Sequence, residues 1–263
     1  MVFVAGHLGE WLQGLCGPEG RVALVTLACP MAGVHATWRP ARDLRIEQNA
    51  PLLDAPRCRA FLAALGRPTR GEVRLRADLP PGGGAGMSTA ALVALARASG
   101  AAEDGVAAAC LTIEGATDPL MLPAPDAVLW APRAARVLTP LSPPPAAEIV
   151  GGFWGPPCPT DPADTAFPRI DDLVAEWRRG PDLRAAAQLA ALSAARTTAL
   201  RGPQDDPTPA LARALGALGH ARAHTGSARA LIFAPGTAPP AAEARLRAAG
   251  YGGVLRFRTG GRG

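Results

Sequence analysis

The sequence predicts an α+β protein in two halves, and three observations carry that expectation. Strand-like runs are mixed with Ala/Leu-rich helical runs, without the strict alternation that builds a parallel sheet. A proline run, Ser142-Pro143-Pro144-Pro145, interrupts the chain near its middle. Consecutive prolines continue neither a helix nor a central strand, so they mark an extended linker. At 263 residues the chain can build two modest domains with a buried core. The expected division is 1–142 and 143–263.

The elements follow in order. Residues 2–5 and 22–28 read as strands separated by a glycine-rich segment, and 34–38 and 44–48 as further strands. Residues 57–65 have helical spacing and stop at Gly66, a C-cap. Over 71–79, Val73, Leu75, Ala77 and Leu79 alternate with Glu72, Arg74, Arg76 and Asp78, the pattern of a half-buried strand. A glycine turn leads into an Ala/Leu-rich helix at Ser88, a second helix covers 103–112, and 127–130 with 135–138 form a hairpin. Beyond the prolines come a strand at 147–153, helices at 170–179, 182–200 and 209–218, and strands at 228–233 and 253–257 around a helix at 241–249. Residues 161–164 and 202–209 read as surface loops, and Trp11, Trp38, Trp130 and Trp154 as packing residues.

Composition excludes several classes. No run reaches the ~18 apolar residues of a spanning helix, and the N-terminus has no basic region followed by an apolar stretch, so a soluble cytoplasmic protein is expected. Every basic side chain besides histidine is arginine. The net charge of +5 is spread along the chain with no basic run interleaved with aromatics, which argues against a nucleic-acid partner. Cys16, Cys29, Cys58, Cys110 and Cys158 lie far apart with no Cys-x-x-Cys, against a disulfide framework or a zinc site. His220 and His224 have a helical metal spacing but no third ligand.

The chemistry concentrates in strand, glycine turn and helix. Pro80-Pro81-Gly82-Gly83-Gly84-Ala85-Gly86-Met87-Ser88-Thr89-Ala90 is suited to phosphate. Glycine lets the backbone approach closely, and the unpaired N–H groups of the following helix start add donors and partial positive charge. No Gly-Lys-Ser/Thr follows, so the loop is not of the Walker type. Taken alone, the run is equally a flexible turn.

The same run resembles the GHMP kinase signature Pro-x-x-x-Gly-Leu-Gly-Ser-Ser-Ala-Ala, and is most similar to that of the L-threonine kinases of cobalamin synthesis, the propanediol-utilization kinases. Three further blocks occur in the family's order. Ala5-Gly6-His7-Leu8-Gly9-Glu10-Trp11-Leu12-Gln13-Gly14 resembles the block ending Cys-Gly-Glu-x-x-Gln-Gly. Thr112-Ile113-Glu114-Gly115-Ala116-Thr117-Asp118 resembles Ser-Ile-Glu-Pro-Thr-Asp-Gly, and Ala223-His224-Thr225-Gly226-Ser227 resembles Ala-His-Ser-Gly-Ser/Thr. Leu8 stands where the family has Cys, and Glu114 and Asp118 are four apart where it has three.

The resemblance implies a two-domain GHMP kinase fold, with a ribosomal-protein-S5-domain-2-like N-terminal domain and a ferredoxin-like C-terminal domain. It implies an ATP-dependent, Mg²⁺-requiring kinase whose acceptor is the hydroxyl of a small amino acid, L-threonine first. Pro81, Gly82, Gly83, Gly84, Ala85, Gly86, Met87, Ser88 and Thr89 would hold the triphosphate. Ser88 and Glu114 would ligate Mg²⁺, and Asp118 would act as base or orient the hydroxyl. Glu10 and Gln13, with His224, Thr225 and Gly226 closing the site, would face the substrate. Plainer readings stand beside these: Glu114 as a solvated helix end, Asp118 as a turn residue, Glu10 as an exposed loop charge and His7 as a loop hydrogen-bonder. A homoserine or sugar kinase, or a catalytically weak nucleotide-binding protein that kept the fold, are the alternative functions.

Overall fold

The computed structural model describes residues 1–158 and 161–260. The first half contains β1 (Val2–Cys16), β2 (Arg21–Arg39), β3 (Leu44–Gln48), α1 (Ala55–Ala64), β4 (Gly71–Ala77), α2 (Met87–Ala98), α3 (Val106–Glu114), β5 (Val128–Ala131) and β6 (Arg136–Pro140). The second contains β7 (Ala147–Phe153), α4 (Asp171–Trp177), α5 (Leu183–Arg201), α6 (Thr208–Ala214), β8 (Gly219–Arg222), β9 (Ala228–Phe233), α7 (Ala242–Ala248) and β10 (Gly252–Thr259). Ser142-Pro143-Pro144-Pro145 lies between β6 and β7, outside any helix or strand.

One sheet runs through both halves in the order β10-β7-β9-β8-β1-β2-β4-β3, with the β5–β6 hairpin attached to β2. In the second half the order β10-β7-β9-β8 is antiparallel throughout, two interleaved β–α–β units of the ferredoxin-like kind. The two halves join where Glu10 of β1 pairs with Arg222 of β8.

The glycine-rich segment expected between two strands is itself strand, because Leu8, Trp11 and Leu12 are fully buried and hold β1 in the sheet. Its pairing with β2 shifts register between Ala5 and Gly6, between His7 and Glu10, and between Glu10 and Leu12. Such bulges re-aim side chains, and these bring His7 and Glu10 inward together. Glu10 is therefore a buried strand residue, not an exposed loop charge. Strand β8 was not expected: Gly-His-Ala-Arg has no β-branched or aromatic residue. Pairing with β9 and close packing of Gly219 on the Ala187 backbone make it a strand. His220 and His224 consequently share no helix face. Among the described residues no group of three His, Cys, Asp or Glu side chains could hold a metal ion.

Helix α2 is apolar nearly all round, and Ala90 to Ala96 are buried without exception. A helix of that kind has to lie inside the core, and α2 packs on β1, β2, β4 and α3. Its N-terminus is thereby fixed at the end of the glycine run. Helix α5 covers β8 and β1, and Trp11 meets Trp177 of α4 with ring centroids 5.5 Å apart. No helix among the described residues is long and apolar enough to cross a membrane.

The 202–209 segment is more than a surface loop. Asp206 and Arg229 form a buried ion pair at 2.6 Å, and Thr208 shares a hydrogen bond with Tyr251. Asp206→Ala would leave Arg229 in the interior with only the Gly226 and Ala228 carbonyls to accept from it and no counter-charge, a loss of about 3–5 kcal/mol. Urea unfolding measures it, and a change under about 1 kcal/mol would show that the pair is not what anchors the segment.

Candidate active site

The glycine run is shaped by four hydrogen bonds. The carbonyls of Gly82, Gly83, Gly84 and Ala85 accept, in turn, from the N–H groups of Cys158, Ala228, Gly9 and His7, at 2.8–3.2 Å. In a trans peptide the N–H points opposite the C=O. Tying four successive carbonyls to the protein therefore turns the N–H groups of Gly83, Gly84, Ala85 and Gly86 the other way. Gly82, Gly84 and Gly86 all have φ between 69° and 77°, which L side chains rarely adopt. An added Cβ at Gly84 would also collide with Ala223, and one at Gly86 would lie 2.6 Å from the His7 ring. Gly226 packs on the backbone of Gly83 too closely for any side chain. The run ends in α2, whose first turn contributes further unpaired N–H groups.

At that helix start the Ser88 hydroxyl contacts Glu114 Oε1, and the Thr89 hydroxyl donates to Glu114 Oε2 at 2.9 Å. Glu114 ends α3, where Gly115 in the left-handed region stops the helix. Burial pushes the Glu114 pKa up to about 7 against the hydroxyls of Ser88 and Thr89, which pull it down. A buried carboxylate beside a hydroxyl at a phosphate loop is a hard-oxygen pair that fits Mg²⁺, an ion that keeps waters and phosphate oxygens for its remaining positions. Arg57 approaches Glu114 to 3.6 Å and also lines the cleft.

Against the loop itself, His7 lies between two carboxylates. Its Nε2 is 3.3 Å from Asp118 Oδ2, and its Nδ1 is 3.6 Å from Glu10 Oε1 and 3.2 Å from the Gly9 carbonyl. The approach to Asp118 has ion-pair distance without hydrogen-bond alignment. Burial lowers the His7 pKa, but Asp118 and Glu10 outweigh it and raise it to about 9. Burial raises that of Glu10 to about 8, against the opposing pull of His7 and Arg222. Glu10 Oε2 and Gln13 Oε1 are buried acceptors with no hydrogen-bond partner among the described residues, and both residues line the cleft.

The far wall is a stack. Phe167 lies flat on His224 with centroids 3.7 Å apart, and the Arg133 guanidinium sits 5.5 Å from the centroid of the Phe167 ring. His224 Nε2 donates to the Ala166 carbonyl at 3.1 Å. Burial, reinforced by Arg201, pulls the His224 pKa down to about 3, so this imidazole is neutral at pH 7. Its role in the structure is that of a wall, not a charge.

These parts enclose one cleft of about 620 Å³, within the range of small-molecule sites. Of the residues expected from the sequence, Glu10, Gln13, Pro81, Gly82, Gly84, Ala85, Gly86, Met87, Ser88, Thr89, Glu114, Asp118, His224 and Thr225 all line it. Gly83 and Gly226 lie behind the lining, pressed against each other. The extra residue between Glu114 and Asp118 does not separate them, since both face the same cleft. His7, Arg57, Arg133 and Phe167 were missed as site residues. His7 carried one readable signal, its place three residues before Glu10 within the first block.

No family model and no curated protein sequence matches the chain. Solved structures do. The chain is similar to L. major mevalonate kinase in complex with R-mevalonate, with a TM-score of 0.66 and 14% identity over 98% of this chain and 94% of that one. It is similar to homoserine kinase from Cytophaga hutchinsonii at TM-score 0.60 and 16% identity, covering 98% and 94%. It is also similar to 4-(cytidine 5'-diphospho)-2C-methyl-D-erythritol kinase at TM-score 0.52 and 20% identity, covering 100% and 99%. The shared architecture is the two-domain fold of the GHMP kinases, present here over nearly the whole chain.

Gly84→Ala should weaken ATP binding by about tenfold or more and lower stability by ~1–3 kcal/mol, because strain and the Ala223 contact act together. Gly20→Ala is the control, with φ 61° and nothing within 4 Å of an added Cβ; it should cost ~1–2 kcal/mol and leave ATP binding unchanged. Titration calorimetry and thermal melts read both, and equal ATP affinities in the two variants would show that the loop does not meet phosphate.

Proposed function

We propose that this chain is an ATP-dependent, Mg²⁺-requiring kinase that phosphorylates the hydroxyl of a small amino acid, with L-threonine as the preferred acceptor and O-phospho-L-threonine for cobalamin biosynthesis as the product. Its domains are 1–142 and 143–263, with the cleft where they meet. The observation that carries the reading is the convergence on one cleft of loop amides freed by tied-back carbonyls, the Ser88–Glu114 oxygen pair, and the Asp118 carboxylate. A triphosphate needs the first, its metal the second, and an acceptor hydroxyl the third.

The residues divide the work. The N–H groups of Gly84 to Gly86 and of the α2 start hold the phosphates, and Arg57 adds a cation beside them. Ser88 and Glu114 hold Mg²⁺, which when bound neutralises phosphate charge. Asp118 orients the acceptor hydroxyl and takes its proton as the acceptor oxygen bonds to the γ-phosphorus. The bond from that phosphorus to the bridging oxygen breaks, and ADP leaves. Phosphoryl transfer asks for position and charge more than for covalent chemistry, so this set suffices.

The unpartnered Glu10 and Gln13 oxygens support an acceptor that brings hydrogen-bond donors, as an ammonium group does. Homoserine meets that requirement as well, so an acceptor panel decides between them. Transfer from Mg-ATP to L-threonine at least tenfold more efficient than to homoserine, sugars or R-mevalonate is the expected result. A better turnover of another acceptor would move the assignment to that compound, and no Mg-ATP binding at millimolar concentration would remove the kinase reading.

The acceptor KM should depend on pH with a defined sign. Ammonium binding needs ionised Glu10, whose pKa is raised to about 8, so below that value the proton competes with the substrate. KM should fall about tenfold per unit from pH 6 to 8, and Glu10→Gln should be flat over that window with a high KM. A wild-type KM independent of pH there would separate Glu10 from ammonium recognition.

A further inference from the structure

We propose that His7 is the positioning residue of this site, a cation wedged between Glu10 and Asp118 that fixes the Asp118 carboxylate by Oδ2 and leaves Oδ1 for the acceptor hydroxyl. The inference rests on the kinase reading of the cleft and adds a residue that reading does not need.

The geometry sets the tautomer. His7 Nδ1 faces the Gly9 carbonyl at 3.2 Å, and a carbonyl oxygen only accepts, so Nδ1 carries a proton. Nε2 then faces Asp118 Oδ2 at 3.3 Å. A neutral ring would set a nitrogen lone pair against a carboxylate oxygen, with no donor between them. A second proton on Nε2 turns that contact into an ion-pair attraction, which does not require hydrogen-bond alignment.

The ring has little freedom to do anything else. It is 2% exposed, and its backbone N–H is bonded to Ala85 of the phosphate loop. Its edge lies against Gly86, where an added Cβ would be 2.6 Å away. The loop that holds phosphate and the ring that holds Asp118 are thus one unit. The groups facing the ring are Asp118 after α3, Glu10 on its own strand and, acting on Glu10, Arg222 of β8; the loop contributes only Ala85 and Gly86, which carry no charge. Asp118 and Glu10 together outweigh burial and keep the imidazolium through neutral pH. Since the chain has no lysine, a histidine is the one remaining kind of non-arginine cation available for this place.

The test compares wild type, Asp118→Asn, His7→Gln and His7→Lys by kcat, acceptor and nucleotide KM, and pH profile. His7→Gln is expected to lose about 100-fold in kcat while its nucleotide KM stays within threefold. Wild-type kcat should fall as pH rises through about 9, where the imidazolium loses its proton. His7→Gln should lack that limb, and His7→Lys should recover at least tenfold over His7→Gln with the limb moved upward. A His7→Gln kcat within threefold of wild type overturns the proposal, and so does an unchanged limb near pH 9. Loss of nucleotide binding in both His7 variants overturns it too, by assigning His7 to the scaffold. If Asp118→Asn is inactive and His7→Gln is not, the inference alone fails. If wild type phosphorylates no hydroxyl acceptor, the kinase reading fails first and takes the inference with it.

Discussion

Peptide planarity is the constraint on which this site depends. Four successive carbonyls of the glycine run are bound by backbone N–H groups from β1, β9 and the segment after β7. Because each peptide is planar and trans, the opposite N–H edge is committed at the same time. The glycines then follow as a requirement: three left-handed positions, and three places where a neighbouring side chain comes closer than a Cβ allows. The binding surface is therefore a property of how the loop is docked, not of loop flexibility. Gly226, which does not line the cleft, belongs to the same device, because it lets β9 come near enough to tie Gly83.

The second constraint is charge in a buried place. Glu10, His7, Asp118 and Glu114 lie around one cleft, with Arg222 behind and Arg57 at the edge. An isolated buried charge is costly, so each group is set against an opposite one or against hydroxyl donors. Glu10 and Glu114 still have their pKa values raised by burial, so a cation brought beside either would stabilise its ionised form. The walls follow the same economy: His224 is kept neutral, is stacked on Phe167 and closes the cleft without adding charge.

Much of this was legible in the sequence, and what was not has physical reasons. Strand β4 announced itself through strict alternation, α2 through its Ala/Leu run, and the break in regular structure at 142–145 through its prolines. The glycine loop could be read because only glycine serves where the backbone is left-handed and crowded. Strand β1 was cut short because its glycines, needed for close packing against Ile170, Arg222 and Met87, look locally like a connector. Strand β8 carries no strand-forming side chains and exists through its partners. His7 was underrated for a related reason: only the bulges around it, and Asp118 arriving from more than a hundred residues away, make it part of the site. Arg133 and Phe167 come together through tertiary contact alone.

The central claim is that the amides of this loop face a phosphate. Backbone amide NMR shifts recorded on adding Mg-ATP test it most directly. The account predicts large shifts, saturating together, at Gly84, Ala85, Gly86 and Ser88, with smaller ones at Gly83, Glu114 and Asp118. If Mg-ATP at millimolar concentration leaves these amides unmoved, or shifts only residues outside the cleft, the loop does not bind phosphate and the account is contradicted.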